Sequence, residues 1–324
     1  KKDTIFIVLV DDCSTDSTIN IIKHAKKTNQ IDVAHFNNKN LGVASSRNIG
    51  INLCQHTDYI TFLDADDLLL PSLSNIFSKK KLFGDLIAFN FNYLYFNKTV
   101  KSGQNFYKSD RKLEVKNIKK YLYKYLSKPN KYSLYTTCWA KLYKTKILLL
   151  NKKLYFNEKL LMCEDTDFVF RFLTNSKSVQ FINDSIYMHK LGLAKENLKK
   201  LTFGARLDTK NQISFLTAVE SCKNYFIKNG HTSSEIQKKI DHCIGAYTII
   251  YTIRSCLRIN SLSSFMSTYL FWKNLYNKNI LSNKMVNYSF KRAGGHWGLP
   301  FLIRNKMYFI SILTAYYICK KRYL

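Results

Sequence analysis

Residues 59–67 run Tyr59-Ile60-Thr61-Phe62-Leu63-Asp64-Ala65-Asp66-Asp67, an apolar segment that ends in three carboxylates. The apolar part predicts a buried strand, because Tyr, Ile, Thr and Phe favour strands and aspartate does not. Carboxylates at the carboxyl end of such a strand lie at the rim of an α/β sheet, where ligands bind. Asp64 and Asp66 can reach one Mg²⁺ or Mn²⁺, whose other ligands are water and substrate phosphate. An acidic surface turn is the alternative.

The composition indicates an anionic partner. With 51 Lys and Arg against 22 Asp and Glu, the 324-residue chain carries a formal net charge of +29. Nucleic acid, an acidic membrane surface and phosphorylated substrates all fit this charge. The eight cysteines contain no Cys-x-x-Cys pair, which argues against zinc and redox sites and favours reduced, buried thiols of a cytosolic protein.

Strand and helix patterns alternate through the first part of the chain. Apolar runs predict strands at residues 4–10, 33–36, 59–63, 85–95 and 179–189. Helical spacing predicts helices near residues 19–25, 42–54, 73–81 and 115–126, and residues 136–150 are predicted to become helical. The alternation predicts an α/β fold whose parallel or mixed sheet has helices on both faces. We expect this domain to span residues 1–194.

Residues 195–324 have a different character, because they are helical, basic and aromatic and show no further alternation. We expect a second region there that associates with a membrane or binds the acceptor. Its apolar run at 307–319 is too short to span a bilayer, which needs about 20 residues. With Lys320-Lys321-Arg322 behind it, the run fits an interfacial helix on an anionic leaflet. An ordinary buried helix with a basic end fits equally well.

Four further groups could carry chemistry. Asp11-Asp12 ends the first predicted strand, where carboxylates can bind a nucleobase or a ribose, or cap a turn. Arg47 lies near a helix start that favours anions, although a plain capped helix has the same pattern. Glu164-Asp165 could supply a general base for a sugar hydroxyl, or simply be an acid pair that the helix macrodipole favours. His189 ends the last predicted strand, as a metal or phosphate ligand or as a surface histidine.

Several segments, taken together and in order, resemble the family 2 glycosyltransferases of the GT-A fold. The similar segments are Val10-Asp11-Asp12-Cys13-Ser14-Thr15-Asp16, Asn40-Leu41-Gly42, Arg47-Asn48-Ile49-Gly50, and Phe62-Leu63-Asp64-Ala65-Asp66-Asp67 with Pro71. Three later segments resemble the bacterial capsule, lipopolysaccharide and teichoic-acid branch, namely Trp139-Ala140-Lys141-Leu142-Tyr143, Phe156-Asn157-Glu158 and Glu164-Asp165. The resemblance covers roughly residues 4–190. It implies a Rossmann-like, mixed and mostly parallel sheet.

The resemblance also implies a nucleotide-sugar donor, usually UDP-linked, with Mn²⁺ or Mg²⁺ on its diphosphate. Asp12, beside Asp11, would contact the base, and Arg47 would lie near the base or the phosphates. Asp66, five residues before Pro71, matches the metal-binding aspartate. Asp64 would support the ribose or the water shell of the metal.

On the acceptor side, Asp165 matches the base that deprotonates the acceptor hydroxyl, with Glu164 beside it. Trp139 and Lys141 would line the acceptor. The family often has Tyr-x-Arg after the last strand, whereas residues 187–190 are Tyr187-Met188-His189-Lys190, so His189 or Lys190 would replace the phosphate-binding arginine. The implied product has an inverted anomeric centre, because the acceptor attacks opposite the leaving group.

One departure from the family concerns the start of the sequence. Family members begin with a strand and helix that form part of the nucleotide pocket, and nothing before residue 4 matches them. We therefore expect poor donor binding and an unpaired strand edge in this chain.

Two functions compete. The first is an inverting hexosyl- or N-acetylhexosaminyl-transferase that acts on a glycan or lipid-linked glycan, peripheral at the cytoplasmic face of a bacterial inner membrane. The alternative is a basic, non-catalytic binding or assembly protein with a degenerate version of this fold. A nucleic-acid partner is not expected, because the sequence lacks Arg-Gly, zinc or aromatic RNP-type motifs.

Overall fold

The structure is a computed structural model that describes residues 5–95, 98–101, 107–129, 131–150, 154–191, 209–228, 230–277, 281–289 and 298–323. The chain divides into two compact units. The first unit comprises Lys1–Asn92, Lys101–Ile118 and Leu134–His189. The second unit comprises Tyr93–Val100, Lys119–Ser133 and Lys190–Leu324. Both units are therefore built from segments that lie far apart in the sequence.

The strands of the described residues form two sheets. They are β1 Val8–Asp11, β2 Val33–Phe36, β3 Tyr59–Ile60, β4 Leu68–Leu69, β5 Leu86–Tyr95, β6 Lys98–Lys101, β7 Arg111–Leu113, β8 Lys141–Lys144 and β9 Val179–Leu191. Strands β1 and β2 pair in parallel as one sheet. The other sheet has the order β3-β8-β5-β9-β4, with β6 on β5 and β7 on β9.

Helices flank and connect these strands. In chain order they are α1 Thr18–Lys27, α2 Val43–Leu53, α3 Ser72–Lys79, α4 Val115–Ser127, α5 Thr145–Leu150 and α6 Glu164–Thr174. Helix α2 begins after Gly42, whose φ of 87° lies in the left-handed region that glycine tolerates best. Helix α6 carries three acids in its first turn, where the helix macrodipole favours negative charge.

An aromatic cluster fixes α6 to the sheet. Phe168 of α6 stacks on Phe156 with ring centroids 4.0 Å apart, and both rings contact Phe62, which follows β3. Tyr143 of β8 contacts the rings of Phe62 and Phe168 from the sheet. Because this cluster is buried, it fixes where the start of α6 lies relative to the end of β3.

The predicted α/β fold and the helical C-terminal region are confirmed, and the sheet is mixed as expected. The sheet contains fewer parallel strand pairs than the resemblance implied, since it implied a mostly parallel sheet. Strand β8 lies antiparallel to β3 and β5, and β9 lies antiparallel to β4 and β7. The prediction that residues 136–150 become helical missed β8, because Lys141 interrupts its apolar pattern; only Thr145–Leu150 is helical.

The second unit is helical. Its helices are α7 Thr209–Lys228, α8 Ser233–Ser255, α9 Leu262–Asn277, α10 Ser282–Met285, α11 Gly298–Arg304 and α12 Tyr308–Tyr323, with a 3₁₀ turn at Cys256–Arg258. Its interior contains satisfied polar groups, since Trp272 donates to the Ser255 hydroxyl at 2.8 Å and Lys284 pairs with both Glu220 and Asp241. Within the described ranges, no helix is long and apolar enough to cross a membrane.

The boundary between the units differs from the expected division at residue 194, because residues 93–100 and 119–133 group with the helical unit. The contacts of α4 give the reason. Tyr123 donates to Glu235 at 2.6 Å, and the carbonyl of Ser127 accepts from His242 at 2.9 Å. Most of the helix predicted near residues 115–126 therefore belongs to the second unit.

We predict that Gly245→Ala destabilises the helical unit. A Cβ at this position in α8 would lie 2.9 Å from the Cβ of Tyr288, closer than packed side chains tolerate. Overpacking of this kind costs about 1–3 kcal/mol of unfolding free energy, which chemical denaturation would measure. Gly298→Ala in α11 is the matched control, because nothing lies within 4 Å of its added Cβ. Equal stability of the two variants would contradict the prediction.

Candidate active site

A cluster of one arginine and three carboxylates lies at the centre of the first unit. Arg47, in the second turn of α2, donates to Asp64 at 2.7 Å through Nη2. Its Nη1 donates to Glu164 at 2.8 Å and to Asp165 at 2.7 Å. The guanidinium also lies over the Phe156 ring, 5.2 Å from its centroid. The arginine therefore joins the turn after β3 to the first turn of α6.

The two acids of α6 have opposite pKa shifts. Burial disfavours ionisation of Asp165, but the Arg47 charge and the N–H of Cys138, 3.1 Å from Oδ2, outweigh burial and lower the pKa. Burial raises the pKa of Glu164, and the adjacent Asp165 charge raises it further against the effect of Arg47. The pair therefore favours an ionised Asp165 beside a protonated Glu164.

The aspartates that end β1 are bound to the neighbouring loops. The Asp12 carboxylate accepts from the backbone N–H groups of Leu41 and Gly42, each at 2.8 Å, and from the Asn37 amide at 2.9 Å. Burial opposes ionisation, but these hydrogen bonds outweigh it and lower the pKa of Asp12. Asp11 is buried and accepts from the backbone and hydroxyl of Ser14. Both side chains thus shape the loops beside β1.

The three aspartates after β3 point to different surroundings. Asp64 faces Arg47, whereas the Asp66 side chain is exposed and has no hydrogen bond or ion pair in the described part of the chain. Asp67 is buried, and its carboxylate accepts from Tyr187 at 2.6 Å and from His189 at 2.9 Å. Asp67 therefore anchors the turn to β9 and leaves Asp66 accessible to a ligand.

Trp139 and Lys141, predicted to line the acceptor, are largely buried. Trp139 stacks on Tyr187 at 4.7 Å and on His189 at 5.3 Å, between ring centroids. Lys141 donates to Thr137 at 3.2 Å and to the Trp139 carbonyl at 3.1 Å, and burial lowers its pKa to about 7. The structure thus places Trp139 against two side chains of β9, and Lys141 is bonded to the Trp139 carbonyl. Their contact with an acceptor stays a prediction.

The structure brings together most of the predicted site residues. Asp64, Arg47, Glu164 and Asp165 are in direct contact, and His189 reaches the same acidic turn through Asp67. Lys190 follows His189 near the end of β9 and is half-buried. The roles assigned to these residues stay predictions.

Sequence analysis missed two residues that position the site. Asn48 donates to the Phe156 carbonyl at 3.0 Å and accepts from the Phe156 N–H at 2.8 Å, so it fixes the segment beneath Arg47. Tyr187 bonds to Asp67 and accepts the N–H of Asp64 at 3.2 Å. Both residues lie within segments that were compared with the family, and this position was the signal that could have identified them.

Comparison with known proteins identifies the class. The sequence profile described as Glycosyl transferase family 2 matches residues 1–145. An uncharacterized glycosyltransferase of Methanocaldococcus jannaschii is 30% identical over 193 residues, which are 59% of this chain and 61% of that protein. The cholesterol galactosyltransferase of Borreliella burgdorferi is 28% identical over 56% of this chain and 50% of its own length. Residues 1–145 of this chain are therefore similar to glycosyltransferase family 2, and the chain spans between half and about three fifths of the length of these two relatives.

Solved structures support the fold. The crystal structure of Staphylococcus aureus TarS 1-349 in complex with UDP superposes with a TM-score of 0.57 at 15% identity, covering 98% of this chain and 82% of that one. In sequence, the S. aureus poly(ribitol-phosphate) β-N-acetylglucosaminyltransferase TarS is 24% identical over 56% of this chain and 29% of its own length. The first unit thus has the GT-A architecture that the resemblance implied.

We predict that Glu164→Gln raises stability at alkaline pH. The pKa of Glu164 is raised in the folded protein, so as the pH rises Glu164 loses its proton in the unfolded chain before it does so in the folded one. The contribution of Glu164 to wild-type stability therefore falls as the pH rises above 4.5. Glutamine is neutral throughout and can still accept from Arg47, so this loss disappears. Thermal unfolding should show equal midpoints near about pH 4 and a higher midpoint for the variant near about pH 8.

Glu114→Gln provides the control, because Glu114 is an exposed acid of the same unit. It removes the same formal charge without removing a buried acid. If Glu164→Gln were less stable than wild type near about pH 8, Glu164 would be ionised in the folded protein.

Proposed function

We propose that this protein is an inverting glycosyltransferase that moves a hexose or N-acetylhexosamine from a UDP-linked donor to a hydroxyl of a surface-glycan acceptor. One observation carries the proposal: Arg47 pairs with Asp165 and with Asp64, and so joins the acid proposed as the base to the acidic turn proposed to bind the metal. The relatives are consistent with it, since TarS has been crystallised with UDP and with UDP-GlcNAc.

Asp165 acts as the general base in this mechanism. Its Oδ1 accepts from Arg47 and its Oδ2 accepts from the Cys138 N–H, which orients the carboxylate, and the side chain is 17% exposed, so an acceptor hydroxyl can approach it. The base accepts the hydroxyl proton as the oxygen attacks the anomeric carbon and the bond to the diphosphate breaks. Attack opposite the leaving group inverts the anomeric centre. Glu164, which stays protonated, limits the negative charge beside Asp165.

A divalent cation, Mn²⁺ or Mg²⁺, fits the acidic turn. Asp66 is exposed, and Asp64 is partly exposed and uses its Oδ1 for the bond to Arg47, so both carboxylates could contribute an oxygen to a cation. Among the described residues, no group of three or more His, Cys, Asp or Glu side chains could hold a metal alone. This composition suits a cation bound by one or two carboxylates together with substrate phosphates. When bound, the cation would supply positive charge to the departing diphosphate.

The donor site is tested by thermal unfolding with UDP, with and without Mn²⁺. A ligand that binds only the folded state stabilises it by about 2.7 kcal/mol at a hundredfold excess over its Kd. We expect a metal-dependent rise of the unfolding midpoint in wild type that is lost in Asp66→Ala. Asp58→Ala, an exposed aspartate before β3, should retain it. A shift that survives in Asp66→Ala would remove Asp66 from the donor site.

The base is tested separately with Asp165→Asn. Asparagine keeps the size and can still accept from Arg47, but it cannot accept the hydroxyl proton. We expect release of UDP from UDP-sugar in the presence of acceptor to fall about 10²–10⁴-fold, while the UDP-induced thermal shift persists. Turnover near the wild-type rate would show that another group accepts the proton.

A further inference from the structure

Two helices of the second unit expose rows of apolar side chains. On α9 the row follows i, i+4, i+8 spacing, and on α12 it follows i, i+3, i+7 spacing, so each row lies along one helix face. The six residues are Leu262, Met266 and Leu270 on α9, and Ile310, Leu313 and Tyr317 on α12. Each side chain is between 38% and 79% exposed. These six residues are called the α9–α12 face below.

The two helices that carry these rows pack against each other through Phe309, which is itself exposed. Phe309 of α12 contacts the rings of Phe265 and Tyr269 of α9, at 5.4 Å and 5.5 Å between centroids, while remaining 46% exposed. The core of the unit does not use this face, since α12 buries its opposite side through residues such as Ile312 and Ala315. A contiguous exposed apolar surface of this kind marks an interaction site.

The charge around this face has one sign. From residue 242 to residue 324 the sequence contains no Asp or Glu, whereas Lys and Arg recur throughout. Lys273 lies over the ring of Tyr269 at 5.7 Å, and Lys320 lies over the ring of Tyr316 at 5.0 Å. Lysine stems that extend along aromatic rings at the border of an apolar patch are typical of residues that place their charge at a membrane interface.

We propose that the α9–α12 face binds the surface of an anionic lipid bilayer. The apolar rows would enter the boundary between headgroups and acyl chains, and the lysines would lie among anionic headgroups. A nucleic acid would use the charge but would leave the apolar rows exposed. This binding mode needs no spanning helix and is independent of the proposed glycosyl transfer. It would keep the chain at a membrane where lipid-linked glycans are accessible.

Co-sedimentation with lipid vesicles tests the proposal on the full chain. We expect binding to phosphatidylcholine vesicles that contain phosphatidylglycerol, and at least about tenfold weaker binding by Leu270→Glu/Leu313→Glu. Both leucines are exposed, so the substitutions should leave the fold intact, which circular dichroism would check. Ile21→Glu is the matched control, because Ile21 is an exposed apolar residue on a helix of the other unit. It should bind as wild type does.

The electrostatic part is tested with Lys320→Gln/Lys321→Gln. Each lysine near an anionic surface contributes about fivefold in affinity, so the double substitution should weaken vesicle binding about 25-fold. Added salt should also weaken wild-type binding. Three results would overturn the proposal. They are absence of wild-type binding to anionic vesicles, equal binding to vesicles of phosphatidylcholine alone, and a wild-type dimer that becomes monomeric in Leu270→Glu/Leu313→Glu without any vesicle binding.

Discussion

The ion pairs of Arg47 are the interaction on which the site depends. One guanidinium holds Asp64, Glu164 and Asp165, acids that lie 17, 117 and 118 residues away along the chain. Carboxylates so largely withdrawn from water would repel one another, and removing a buried partner typically costs about 3–5 kcal/mol. The planar fork of arginine suits this arrangement, because it can direct separate N–H groups at several oxygens. A lysine would bring the charge without that geometry.

The surrounding structure explains why Arg47 is held in place. The backbone of the loop before α2 donates hydrogen bonds to Asp12. Asn48, the residue after Arg47 in α2, accepts a hydrogen bond from the backbone of Phe156. Phe156 in turn stacks on Phe168 of α6, which lies one turn after the acids that Arg47 contacts. The first turn of α6 is therefore held both by core packing and by the Arg47 ion pairs. Burial and the Arg47 charge in this turn cause the pKa shifts of Asp165 and Glu164.

Local patterns predicted the parts of this arrangement that depend on neighbours in sequence. The apolar runs located β5 and β9, and the acids marked the turn after β3. The contacts of Arg47 could not be predicted in this way, because they join residues that only tertiary folding brings together. The sequence suggested an arginine near phosphates, whereas the structure surrounds it with carboxylates. The burial of Lys141 was not predicted either, because a lysine is normally exposed. The strand that carries it, β8, lies in the interior between β3 and β5.

The segmented make-up of the two units constrains how the chain can be divided. Residues 119–133 belong with a helical unit most of which follows residue 190, so a single cut cannot release either unit intact. A chain that ends at residue 189 would keep α4 but lose α8. Tyr125 and Leu126, which are buried in the complete chain, would then face water, and Tyr123 would lose Glu235. Such a fragment would be prone to aggregation, and ribosomal synthesis must reach α8 before α4 can complete its packing.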